Sequence, residues 1–347
     1  KSLRFNSGDS AHLSKTFASA GNRRTWTWSG WVKRSKLGAN QRILRVDSSG
    51  EAGIQFRDTD KIELYDYADG GYTWQLQTDQ VFRDTSAWYH IVVAFDTTQS
   101  TAADRVSLYV NGSEVTSFST SNYPSQNFEG KINLNAGHSI AGQDSLKYNG
   151  LMADIQFVDG QALAATDFGE TRESDGVWVP KEASFTSFND GTTWSSTLTA
   201  TSAHPSGRPA SNGFDGIPSS VDANSFLANS GGDVVWDASS YGFTDVKVEV
   251  YVFGVGGSLR QWKVNSGSAI NEASSAGWQD LGTYSTLSEV RCVGLGSYGG
   301  AFSAIRLNGE ILIDGLSNKY GKNGFHLNFS DSSTNEALGF DSAPTIP

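Results

Sequence analysis

The sequence predicts an all-β chain built as two β-sandwich (jelly-roll) domains. Short runs of aromatic and β-branched residues recur between clusters of Gly, Asn, Asp and Ser. No window of roughly a dozen residues sustains a helical period. With 347 residues, 38 glycines and only 7 prolines, the chain is long enough for two such domains.

Taken in order, residues 2–5 and 11–13 read as a terminal strand pair around the turn Asn6-Ser7-Gly8-Asp9. The run TWTWSGWVK alternates, and its tryptophans Trp26, Trp28 and Trp31 read either as a sugar-stacking platform or as core packing with a bulge at Gly30. Strands follow at 42–47, 53–56 and 61–65, and then the stretch YDYADGGYTW, read as a loop. Residues 88–95 are nearly all apolar or aromatic, as in a strand buried between two sheets. Residues 105–110 alternate with period two, and Asn111-Gly112 supplies a tight hairpin turn into 113–118. Residues 119–126 read as a loop, and 131–135 and 152–158 as strands.

The pattern W-Y-H-I-V-V-x-F-D, a spacer and L-Y-V-N-G resembles the signature of laminin-G-like domains of the concanavalin A-like fold. The SLRFNSG opening and GLMADIQFVDGQAL resemble the first and closing strands of the same family, so the resemblance spans residues 1–168. A charged extended strap follows at 169–182, GETRESDGVWVPKE.

Residues 183–316 carry a second set of strands: 184–188, 234–236, 246–253, 259–264, 277–282, 289–295, 302–307 and 310–313. Asn308-Gly309 marks another hairpin. RPASNGFDG resembles the entry of discoidin-like, galactose-binding-like jelly rolls, which implies calcium at Asp215. The Thr-x-Trp that usually follows is absent, since residues 217–223 read IPSSVDA. The segment 317–347 contains KYGKNGFHLNFS, expected to pack back on the first domain or to lead into further protein. A W-x-P-K strap followed by Y-G-x-N-G-F-x-L-x-F-S-D resembles structural proteins of marine tailed bacteriophages. Residues 178–181 and 320–331 match its two halves, which makes the sequence between them an insertion.

The net charge of −11 argues against nucleic acid as a partner. Arginines and lysines between Arg23 and Arg45 alternate with strand residues, as on a solvated strand face. The single cysteine, Cys292, excludes an intrachain disulfide and sits among strand residues, as a buried thiol does. A secreted eukaryotic laminin-G module usually carries a disulfide, so bacterial or viral origin is expected. No signal peptide or membrane span is apparent, and a chain opening on Lys1 reads as one segment of a longer polypeptide.

Catalytic patterns are missing. Glycosidases of this fold carry E-x-D-x-E, three carboxylates on one strand face, and no such run occurs. Glu63 with Asp66, and Glu310 with Asp314, lack the geometry of a dyad. His12, His90, His138, His204 and His326 have no metal-ligand spacing. The Tyr65–Trp74 stretch offers Tyr65, Tyr67, Tyr72 and Trp74 for stacking on sugars, and Asp66 and Asp69 for their hydroxyls. The alternative is a polar hairpin loop with Tyr65 and Trp74 anchoring its base. Rim carboxylates Asp96, Asp104 and Asp144 are candidate calcium ligands alongside Asp215.

The resemblance implies a non-enzymatic virion structural protein: a tail fibre, appendage or capsid decoration on the particle exterior. Its partners would be other virion proteins and a host cell-surface glycan, with trimers if it is a fibre. The alternative is a carbohydrate-binding or adhesion module of a bacterial surface or secreted protein.

Overall fold

The computed structural model describes residues 1–142, 144–203, 205–221, 224–334 and 336–342. His204, Asp222, Ala223 and the tail beyond Ser342 lie outside the described residues. The chain folds as two units: Lys1–Thr186 with the described residues between Asn323 and Ser342, and Ser187–Lys322 interrupting it. These limits lie a few residues later than the 183–316 read from the sequence.

The first unit is a sandwich of two 7-stranded antiparallel sheets. One runs Ser2–Phe5, Gly150–Asp159, Thr25–Arg34, Tyr89–Asp96, Val106–Val110, Ser113–Glu114, with Phe325–Leu327 also paired to Gly150–Asp159. The other runs Phe118–Asn122, Gly71–Val81, Lys61–Ala68, Gly50–Phe56, Gln41–Ser48, Gly137–Ile140, Leu13–Thr16. Period-two alternation sends Trp26, Trp28, Phe95 and Phe157 inward to meet Ile54, Leu64, Trp74 and Leu76. Trp26 stacks on Phe95 at 4.9 Å. The Asn111-Gly112 turn has φ 49° and 81°, the left-handed pair a two-residue hairpin needs.

Several sequence expectations are corrected here. The two opening segments do not pair. Ser2–Phe5 joins Gly150–Asp159, while Leu13–Thr16 pairs with Gly137–Ile140 in the opposite sheet. Residues 131–135 form turns rather than a strand. Asn133 sits there at φ 71°, buried, donating to Asn22 O and Asp159 Oδ1. After Ser113–Glu114 the chain leaves its sheet, and Phe118–Asn122 becomes an edge strand of the other rather than a loop. The strap is a hairpin, Gly169–Thr171 with Trp178–Pro180.

In the second unit, a 5-stranded sheet runs Leu198–Ala200, Val234–Asp237, Glu289–Gly294, Arg260–Val264, Ile270–Asn271. A 4-stranded sheet runs Gly277–Thr286, Thr244–Val252, Ile305–Leu307, Glu310–Ile311. Between them lie Trp236, Trp262, Phe302 and the valines 246, 248, 250 and 252. Residues 184–188 are not a strand, because the buried Glu310 carboxylate gathers Ser187, Phe188 N–H and Asn189 in irregular backbone. Residues 302–307 split. Ala301–Phe302 pairs with Phe226–Leu227, and Ile305–Leu307 with Thr244–Val252. Asn308-Gly309 forms the expected turn, at φ 48° and 88°.

Candidate functional site

The stretch from Tyr65 to Trp74 is two strands, not a loop. Lys61–Ala68 and Gly71–Val81 pair around Asp69-Gly70, whose φ values are 50° and 82°. The density of Tyr, Asp and Gly hides the period-two pattern that continues through Trp74 and Leu76. Burial then divides the six candidate residues. Trp74 is 3% exposed and packs against Phe95 in the core at 5.6 Å. Asp66 is 1% exposed, accepting from Lys131 Nζ at 2.6 Å, Lys131 N at 3.0 Å and Thr73 Oγ1 at 3.0 Å. These two are structural, and their assignment to a glycan site is corrected. Trp74 anchors the hairpin, as the alternative reading held.

The remaining tyrosines lie on the outer face of this sheet. Tyr67 and Tyr72 pair across the strands and meet edge to face at 5.3 Å. Tyr72 is 42% exposed. Tyr65 sits beneath, edge-on to Tyr72 at 6.1 Å and buried, so it supports the pair and offers no face of its own. Its phenol accepts from Arg42 Nη1 at 2.8 Å, and burial pushes its pKa up. Asp69 is exposed at the hairpin tip.

Around the tyrosines the outer face carries a connected polar layer that sequence reasoning missed. Arg42 forks onto Glu51 with bonds of 2.8 and 3.0 Å. Arg57 Nη1 donates to Glu63 Oε2 at 3.1 Å and lies 3.5 Å from the Tyr72 hydroxyl. Gln75 Nε2 donates to Glu63 Oε1 at 2.6 Å, and Gln55 Nε2 donates to Oε2. The alternation of charged residues at 42–63 is the signal that could have located this layer.

The calcium candidates are not brought together. Asp96 accepts from Thr98 N, Thr98 Oγ1 and Gln99 Nε2, capping its own turn. Asp104 is exposed on a short 3-10 turn. Asp144 lies 3.1 Å from Arg42 and 3.6 Å from Arg45, so guanidinium charge occupies the place a cation would need. Asp215 accepts from Ile217 N at 2.7 Å. Among the described residues no group of three His, Cys, Asp or Glu side chains is disposed to hold a metal ion.

Groups that could do chemistry are engaged elsewhere. Glu63 is fully buried beneath three donors. Ser29 Oγ lies 2.9 Å from His90 Nε2, the spacing of a nucleophile and its base. But the Trp178 indole N–H donates to His90 Nδ1 at 2.9 Å, so the imidazole proton sits on Nε2. That nitrogen donates to Ser29 and cannot take its proton. Cys292 is buried, and burial pushes its thiol up to about 12. His138 Nε2 accepts from Asn133 N at 3.0 Å, and His12 Nδ1 lies 2.8 Å from Ser10 O. His326 Nε2 lies 2.5 Å from Asp154 Oδ1 at a bulge where Asp154 has φ 48°.

Comparison with known proteins agrees with this sandwich. Residues 6–167 match the family described as the concanavalin A-like lectin/glucanases superfamily. The first unit has that fold. Among solved structures, a heptameric SAP-like pentraxin from Limulus polyphemus is 14% identical over 44% of this chain and 71% of its own, with a TM-score of 0.33. Domain 4 of an extracellular arabinanase from Geobacillus stearothermophilus, solved with arabinotriose, is 15% identical over 47% and 72%, with a TM-score of 0.32. The carbohydrate-binding module of Ruminococcus gnavus IT-sialidase, solved with a sialyllactose, is 12% identical over 41% and 90%, with a TM-score of 0.29. No curated protein sequence matches the chain.

Proposed function

We propose that this chain is a non-catalytic glycan-binding adhesion module carried on the exterior of a tailed-phage particle. The observation that carries the glycan reading is the Tyr67–Tyr72 pair. It presents aromatic surface on an outer sheet face, ringed by Arg57, Gln75 and the Glu51–Arg42 fork. Aromatic faces take the C–H side of a pyranose, and fixed polar groups take its hydroxyls. Glu63 has no free proton site and Ser29 no base, which favours binding over hydrolysis. The virion setting draws on the strap and tail motifs. The Trp178 hairpin and the Phe325–Leu327 strand belong to the same unit although a whole second unit separates them in sequence.

A glycan array probed with the full chain tests the reading, with Tyr67→Ala and Tyr72→Ala as controls. Binding lost in these variants with unchanged thermal unfolding supports it. Binding to no glycan, or binding that survives both changes, overturns it. Antiserum against the chain should label particles at tail, fibres or capsid. Label confined to bacterial surfaces would move the module to a bacterial adhesin.

A further inference from the structure

The cations around the Tyr67–Tyr72 pair are all matched by carboxylates. Glu51 lies directly opposite Tyr67 across the strands, with its side chain 27% exposed. Its carboxylate is forked by Arg42 and reached by Arg45 Nε at 3.4 Å. Arg42 and Arg45 also meet Asp144, at 3.1 and 3.6 Å, and Arg45 Nη1 meets Asp47 at 2.9 Å. Arg57 is held by Glu63, and Lys131 by Asp66. Four cations therefore meet five carboxylates. Asp69 adds a further negative charge, exposed at the tip of the same hairpin two residues beyond Tyr67, with no ion-pair partner among the described residues. Lys61 shares the strand face by parity but is six residues from Tyr67, roughly 20 Å along the strand.

An acidic sugar needs a cation to receive its carboxylate. Freeing one here would strip Arg42 from Glu51, or Arg57 from the buried Glu63, and leave that carboxylate unpaired, which is the less favourable arrangement. Sugar hydroxyls meet no such obstacle. A carboxylate offers about four lone-pair sites, so an oxygen already engaged by an arginine still accepts from an O–H. Glu51 is partly open, and Asp69 has both oxygens unengaged among the described residues. The face is thus rich in acceptors for hydroxyl donors and poor in cations for an anion.

We infer that the tyrosine face selects uncharged saccharides and rejects acidic ones, with Glu51 and Asp69 as the discriminating carboxylates. The inference rests on the glycan reading of that face and narrows its ligand class. Electrostatic matching between partners governs which ligands are refused. The repulsion between exposed charges is screened over about 10 Å at 0.1 M salt, so the rejection of acidic sugars fades as salt rises. Stacking on the tyrosines carries no charge and does not share that dependence.

An array of neutral glycans, each beside its sialylated or uronate-bearing counterpart, tests the inference on the full chain; lactose beside sialyllactose is one such pair. At low salt every neutral glycan that binds should be held ~10-fold or more tightly than its acidic counterpart. Raising salt from about 0.05 to about 0.5 M should narrow that ratio. Asp69→Asn should narrow it ~3-fold or more at low salt, and asparagine suits the left-handed backbone at this tip. Acidic glycans bound as tightly as their neutral partners, or a ratio that neither salt nor Asp69→Asn narrows, would overturn the inference and leave the glycan reading in place. Binding of no glycan at all would overturn both.

Discussion

The indole N–H of Trp178 donates to Nδ1 of His90 across 2.9 Å, joining the hairpin after the first sandwich to its central strand. The indole lies between Gly112 and Gly169, where a Cβ at either position would approach its ring to 2.6 Å. His90 is itself stacked on Trp31 at 4.8 Å. Trp178→Phe keeps most of the packing but leaves a buried imidazole acceptor unmet. It should cost about 1–2 kcal/mol in urea unfolding, and Trp178→Ala about 3–4 kcal/mol. A Phe variant as stable as the parent would show that the bond does not fix the hairpin.

Two buried histidines set an acid limit on the first unit. Burial pushes both His90 and His138 down to about 4, against an ordinary 6.5. Between those values the unfolded chain binds protons that the folded chain does not, so stability rises with pH there. Their contribution is present above pH 6.5 and disappears as pH falls toward 4. Each is on the order of 3 kcal/mol. Urea midpoints taken from pH 7 down to 4 should fall steeply in the parent. The double variant His90→Asn/His138→Gln should show a flatter profile, whatever its stability at pH 7.

How far the sequence revealed this molecule follows from how local each signal is. The strands at Thr25–Arg34, Tyr89–Asp96 and Thr244–Val252 were legible because hydrophobic alternation and turn residues are local properties. The pairing of Leu13–Thr16 with Gly137–Ile140 was not, because partners distant in sequence leave no mark on either strand. The candidate site failed for a related reason. Tyr65, Asp66 and Trp74 have the composition of a binding loop, yet Trp74 pairs opposite Asp66 and both side chains are buried. Composition alone cannot tell which residues the fold turns inward. The burial of Arg260 escaped notice because an arginine on an alternating strand reads as solvated.

Asp66 is therefore expected to affect folding rather than ligand affinity. Its carboxylate joins Lys131 Nζ and N to the Lys61–Ala68 strand, and the Lys131 side chain is only 13% exposed. Asp66→Ala strands that ammonium and should destabilise by about 3 kcal/mol, while Tyr72→Ala on the open face should cost about 0.5 kcal/mol or less. Guanidinium chloride midpoints of the two variants provide the comparison. Equal losses would mean that the tyrosine is as structural as the aspartate.

Within the second unit, Arg306 and Glu249 form a two-bond pair, Nε to Oε2 at 2.6 Å and Nη2 to Oε1 at 2.7 Å. Both side chains are nearly inaccessible, at 1% and 5%, and Trp278 covers the guanidinium with its ring centroid 4.4 Å away. Desolvating two charges offsets most of their attraction, so the pair contributes less than its geometry suggests, but either charge alone is severely unfavourable. Glu249→Ala should cost about 3–5 kcal/mol. Replacing both with methionine restores apolar volume and removes both desolvation costs. The double variant should be markedly more stable than Glu249→Ala, which a double-mutant cycle in urea would measure. If the losses of Glu249→Met and Arg306→Met simply add in the double variant, the pair's direct attraction is negligible.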